Sequence, residues 1–153
     1  HFFMKGVEGE FPPFVTKTPG VESGYMIAHV TASSLASENK TLSHPASVDS
    51  LPPSGGQEDL VSMAPWAGNK LLHIQNNLRW IFAIELMVAG AANQIASPNA
   101  KSGKGTNPVL EILKSVCNYE AGDRVLSTEI ETIADLIKTG DLLKAVTNKL
   151  PLE

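Results

Sequence analysis

The chain has 153 residues, 42% hydrophobic and 18% charged, with a net charge of −4. That balance describes a globular unit with a sizeable core and excludes a disordered chain. It offers neither the clustered basic face of a nucleic-acid binder nor a polybasic membrane-surface stretch, and the single Cys117 cannot close an internal disulfide.

Residues 1–20 form an irregular lead-in, rich in Gly, Pro and aromatics, with Pro12, Pro13 and Pro19 opposed to regular helix. The start, HFFMKGVEGE, lacks signal-peptide organisation, and a first residue other than Met points to a processed or excised piece. A cytoplasmic protein is the expectation. From Glu22 to about Ser43, Met26, Ile27, Val30, Ser34 and Leu35 share a helical stripe, beside small residues that let another helix approach. His44-Pro45 ends this helix, because a residue before proline is pushed out of helical geometry. The stretch 44–59, with three prolines and two glycines, reads as a long loop of the kind that often carries function.

The next helix is predicted over 64–96. Leu60, Ala64, Ala67, Leu71, Ile74, Leu78 and Ile81 alternate spacings of four and three, the seam of a helical bundle. Pro65 suits its first turn and Ser62 its cap. From Trp80 to Ala92 it is apolar nearly all round, which predicts burial on every side; Glu85 interrupts this run, which is too short to cross a bilayer. Such a helix is about 50 Å long at 1.5 Å per residue, whereas a compact sphere of this chain length is only about 38 Å across. The chain is therefore expected to be part of something larger.

A polar linker after Ser97 leads to three shorter helices near 107–118, 127–138 and 140–148, punctuated by Asn107-Pro108, Ser127 and Gly140-Asp141. No useful strand pattern or internal repeat occurs. The fold class is all-α: long helices of a central multi-helix bundle plus shorter C-terminal helices. Three segments follow: the lead-in 1–20, a central bundle segment 21–96 with the loop 44–59, and a C-terminal helical segment 97–153.

Residues 23–63 carry the most specific signal. Ser-Gly-Tyr-Met-Ile-Ala (23–28), Ser-Glu-Asn-Lys (37–40), His-Pro-Ala-Ser-Val-Asp-Ser (44–50) and Gln-Glu-Asp-Leu-Val-Ser-Met (57–63) occur in that order. The stretch closely resembles the central C-terminal motif of histidine ammonia-lyases, members of the aromatic amino-acid ammonia-lyases. Phe-Pro-Pro-Phe-Val (11–15) and the helix 78–86 are similar to further parts of that family, so the likeness covers about 10–96 strongly and the rest weakly.

The resemblance implies a homotetramer with a helical core and active sites built from several subunits. It also implies an electrophile, 4-methylideneimidazole-5-one (MIO), formed from an internal Ala-Ser-Gly, and a tyrosine base from the N-terminal part. The implied reaction eliminates ammonia from histidine to give urocanate. This chain holds no Ala-Ser-Gly; Tyr25 falls on a helical Phe position and Tyr119 on no catalytic tyrosine motif. MIO and base are thus expected from a missing N-terminal part or partner chain, and the chain alone is expected to be inactive.

By position, the resemblance places Glu58 against the substrate imidazole. A carboxylate there accepts a charge-assisted hydrogen bond from the ring N–H and orients it. Phenylalanine and tyrosine lyases resemble Asn-Gln-Asp here, so the glutamate favours histidine. The competing reading is an acid at the start of the following helix, beside the positive end of its dipole. Gln57 is a second substrate-side candidate, or a residue that shapes the loop. Leu60 stands where the family has His, and Ala64-Pro65 where it has Gly. Glu85 is expected at a subunit contact. His29, His44 and His73 lack metal-ligand spacing, so no metal is expected, and residues 102–106 lack the glycine spacing of a phosphate loop. Two other readings remain: a lyase or aminomutase for another aromatic amino acid, and a non-catalytic assembly subunit.

Overall fold

Helix signals in the sequence become six α-helices among the described residues of the computed structural model, which are 2–8, 10–96 and 101–150. They are α1 (Phe2–Lys5), α2 (Met26–Leu42), α3 (Ala64–Ala96), α4 (Thr106–Val116), α5 (Ser127–Thr139) and α6 (Asp141–Thr147). Short 3-10 turns at Pro13–Val15, Ala46–Val48 and Ser54–Gly56 punctuate the connections. Two isolated bridges, Val7 with Phe11 and Pro19 with Glu22, are the extended pairings among the described residues. The fold is all-α. The first residues of the linker after Ala96, and His1, lie outside the described residues.

Local chemistry sets the helix ends. α2 begins at Met26, four residues beyond the periodic start at Glu22, because residues 22–25 are held as a turn. Gly24 is left-handed (φ 55°), and a Cβ there would meet the Phe14 carbonyl oxygen at 2.6 Å. The Asp123 carboxylate accepts the N–H groups of Ser23 (2.8 Å) and Gly24 (2.9 Å) ahead of the helix. α3 starts at Ala64, whose N–H donates to Ser62 Oγ at 3.3 Å, with Pro65 in the first turn. Gly140 closes α5 in the left-handed conformation (φ 75°) and returns its N–H to the last carbonyls.

The core lies around the second half of α3. Ala83, Ile84, Met87, Val88, Ala91 and Ala92 are buried against Ala28 of α2, Leu113 of α4 and Ile130, Ile133 and Ala134 of α5. Phe11, Val15 and Tyr25 close one end. Gly90 belongs to this packing for lack of a side chain: a Cβ would lie 2.2 Å from the Tyr119 hydroxyl. That hydroxyl is buried without a hydrogen-bond partner.

Two expectations are qualified here. Of the apolar seam predicted from Leu60 to Ile81, Ile74 and Ile81 are half-buried and the remainder has no cover among the described residues. Leu60, Ala64, Ala67, Leu71 and Leu78 are exposed. α2 instead covers Lys70 and Asn77, 9% and 8% exposed, about 100° around the helix from Leu71 and Leu78 at 3.6 residues per turn. Burial of 80–92 is also incomplete, since Phe82 and Glu85 face outward. The physical reason is supply: α2, α4, α5 and the N-terminal segment cover part of the α3 surface, and nothing else among the described residues is left to cover the rest.

The polar contacts under α2 are specific. Asn77 Nδ2 donates to Glu38 Oε2 (2.9 Å) and Asn39 Oδ1 (3.0 Å). Lys70 Nζ donates to the backbone oxygen of His44, just past the end of α2, where a cation also meets the negative end of the helix dipole. Replacing Lys70 by Met keeps the length of the side chain but leaves that carbonyl unpaired. Lys70→Met is expected to lower unfolding free energy by about 1–3 kcal/mol; an unchanged denaturant midpoint would show that the ammonium adds nothing net.

Candidate functional site

Between α2 and α3 the chain runs out into a lobe and returns. Leu51 to Leu60 are exposed throughout. Consecutive positive φ angles at Ser54 (56°), Gly55 (68°) and Gly56 (87°) turn it back, a conformation natural to the two glycines and uncommon for the serine. Inside the turn, Gly56 N–H donates to Pro53 O (3.0 Å) and Gln57 N–H to Ser54 O (3.4 Å). At the base, Ser50 Oγ donates to Val61 O (3.1 Å) and accepts from Val61 N–H (2.9 Å).

Glu58 and Gln57 sit on the returning limb, both exposed. Among the described residues neither side chain makes a hydrogen bond or ion pair within the chain. The first turn of α3 holds no acidic residue, so Glu58 is not a helix-start acid. Its carboxylate stands free on the lobe, able to accept a hydrogen bond from outside the chain. Leu60, two residues on, is 82% exposed, and Val48 and Leu51 are exposed near the same lobe. The lobe thus presents a carboxylate and an amide among uncovered apolar side chains.

The other candidates are placed apart from the lobe. Glu85 is exposed on α3, and His29 and His73 lie on α2 and α3. Among the described residues no group of three or more His, Cys, Asp or Glu could hold a metal ion, and no helix is long and apolar enough to cross a membrane. Cys117 is core, its thiol pushed up to about 11 chiefly by burial. The MIO group does not fit this stretch of chain as its source, because no Ala-Ser-Gly is present to cyclise.

Apolar periodicity cannot find buried polar groups, and three features escaped it: the Ser50 clasp, the Lys70 and Asn77 contacts, and an ion pair at the far end of the molecule. Arg124 grips Glu129 with two bonds, Nε to Oε1 at 2.8 Å and Nη2 to Oε2 at 2.7 Å, with both side chains largely buried. The guanidinium also reaches Ala121 O (3.3 Å) and lies 5.9 Å from the centre of the Tyr25 ring. Available signals were the closing serine of the 44–50 motif and the seven-residue spacing of Lys70, Asn77 and Ile84.

With the helical fold and the carboxylate lobe in place, comparison with known proteins defines the class. The family model for aromatic amino acid lyases matches residues 2–115, and the chain belongs to that family. Among its relatives is the histidine ammonia-lyase of Burkholderia vietnamiensis, 51% identical over 127 residues, which are 82% of this chain and 25% of that protein. The crystal structure of histidine ammonia-lyase from Trypanosoma cruzi superposes with a TM-score of 0.85 at 37% identity, over 92% of this chain and 28% of that one. Tyrosine aminomutase from Streptomyces globisporus superposes with a TM-score of 0.87 at 27% identity, over 94% and 27%. The chain therefore spans about a quarter of the length of the relatives it matches.

The Arg124–Glu129 pair makes a pH prediction. Burial pushes the Glu129 carboxyl up, but the hydrogen bond from Arg124 and then that from Asn118 N–H outweigh it and hold the group below 4.5. A carboxyl depressed on folding adds stability above its unfolded value and loses it as pH falls through the folded one. Glu129→Gln is expected to cost about 1–3 kcal/mol at pH 7 and to flatten the fall in melting temperature below pH 4.5. Parallel melting curves for both proteins between pH 3 and 7 would contradict it.

Proposed function

We propose that this chain is the C-terminal part of a histidine ammonia-lyase, which eliminates ammonia from histidine to give urocanate in the cytoplasm. In this reading the lobe supplies the Glu58 carboxylate to the substrate imidazole, and Gln57 lines the same side. The observation that carries it is the free, outward carboxylate of Glu58 in a lobe whose sequence matches the histidine ammonia-lyase motif. An ionised carboxylate accepts from an imidazole N–H more strongly than a neutral acceptor and fixes the ring plane. MIO and the base that removes the β-proton come from the rest of the full-length enzyme, where MIO would supply the electrophile that draws electrons from the substrate. By itself this chain is inactive.

The exposed stripe on α3 supports an assembled protein. Leu71 and Leu78, with Phe82 beside them, form an uncovered apolar face of a kind that monomers rarely keep at length. We assign it to the rest of the polypeptide and to further copies in a homotetramer, with Glu85 at the same contact. Replacing Leu71 and Leu78 by Asp in the full-length protein is expected to give smaller species in sedimentation. An intact assembly would place the contact elsewhere.

A second reading keeps the scaffold and changes the substrate: an aminomutase or lyase for another aromatic amino acid. The likeness to tyrosine aminomutase favours it; a non-catalytic assembly subunit is the remaining alternative. Glu58→Gln in the full-length enzyme separates them. Loss of one charge-assisted hydrogen bond, about 1.5–3 kcal/mol, lowers kcat/KM for histidine roughly ten- to a hundred-fold. Turnover of phenylalanine or tyrosine, which have no imidazole, falls less or rises. An equal loss on every substrate, tracking melting temperature, would remove the histidine assignment's main support.

A further inference from the structure

Ten exposed residues, 51–60, carry Glu58, and a segment of that length without supports would sample many conformations. Their internal bonds are the two turn bonds at Gly56 and Gln57, which shape the tip without fixing where it lies. Among the described residues, the hydrogen bonds that join the outgoing limb to the returning limb are the two between Ser50 Oγ and Val61. Both are partly buried, at 3.1 and 2.9 Å.

The chemistry of that contact is unusual for one side chain. A hydroxyl can donate once and accept twice, and Ser50 uses both capacities on the same residue. It satisfies the N–H and the carbonyl of Val61 together, as a paired strand residue would. A slip of one residue along either limb breaks both bonds at once, so the contact sets register as well as proximity.

Each limb is in turn tied to α3. On the outgoing side Lys70 holds His44 O, six residues before Ser50. On the returning side Ser62 Oγ accepts from Ala64 N–H at the head of the helix. Val61 is three residues past Glu58. The position of the carboxylate is thus referred to α3 through Val61, and Ser50 is the group that completes the reference.

We propose that Ser50 is a positioning residue for substrate recognition, a clasp that closes the lobe 51–60 and so fixes Glu58. The proposal rests on the reading of Glu58 as the substrate-side carboxylate, and it adds the residue through which that carboxylate is held. Ser50 itself touches no substrate. Its removal unpairs both main-chain groups of Val61 and lets the lobe open, so the carboxylate meets the imidazole for a smaller fraction of the time.

The test uses the full-length lyase and four variants: Ser50→Ala, Ser50→Thr, Glu58→Gln and the double variant Ser50→Ala with Glu58→Gln. Two readouts are taken, hydrogen exchange of the Val61 amide and kcat/KM for histidine. Ser50→Ala is expected to speed Val61 exchange at least tenfold and to lower kcat/KM about tenfold, the size of one modest hydrogen bond. Ser50→Thr, which keeps a hydroxyl, restores most of both. In the Glu58→Gln background Ser50→Ala has little further effect on kcat/KM, because residues that act through one another are not additive. An unchanged exchange rate at Val61 in Ser50→Ala overturns the clasp. An equal tenfold loss in both backgrounds overturns its action through Glu58. Full histidine turnover by Glu58→Gln, with fast exchange in Ser50→Ala, overturns the reading of Glu58 and leaves the clasp standing.

Discussion

Helix α3 sets the terms for everything else, because it is longer than the remaining described chain can enclose. Its 33 residues extend about 50 Å. α4 and α5 surround its second half, where Met87 and Ala83 are completely buried. The first half has α2 and the short turn Ala46–Val48 against it and no other helix among the described residues. Burial of an apolar side chain stabilises by about 1.5–3 kcal/mol relative to exposure, so the uncovered leucines are unspent stabilisation. The carboxylate lobe lies at this thinly covered end, where it is open to whatever completes the fold.

Polar contacts do most of the joining at that end. α2 is secured to α3 by Asn77 and Lys70, and the lobe by one serine hydroxyl. Hydrogen bonds are directional where apolar packing is not, and each leaves an expensive unpaired group if it is broken under cover. The apolar half of α3 therefore supplies stability, and the polar half supplies position. That division is what the proposed role of Glu58 requires, a single charged group held in place.

How far the sequence discloses this depends on what each signal measures. The start of α3 was legible to the residue, because Pro65 and Ser62 mark it through backbone chemistry that operates locally. The start of α2 was misplaced because the groups holding residues 22–25 in a turn come from Asp123, a hundred residues away. The neighbour of the seam could not be named, for a related reason. Periodicity finds the apolar stripe of Leu71 and Leu78 and cannot say which element covers it, whereas α2 chose the polar stripe. The motif singles out Glu58, and only the structure shows it free of a helix-start role. Ser50 stood in plain view at the end of the 44–50 motif, but a serine in a loop is ordinary until its two bonds to Val61 are seen.

The separation of the lobe from the core has an evolutionary consequence. Residues 51–60 are exposed and contribute nothing to the packed interior, so their identities can change at little cost to folding. A pair of residues at 57 and 58 can then be exchanged while the helices stay as they are. Proteins with one scaffold and different amino-acid chemistries, such as the lyase and the aminomutase that superpose on this chain, are what such an arrangement permits. Under the role proposed for Gln57 and Glu58, substrate choice is a cassette, inherited separately from the architecture that carries it.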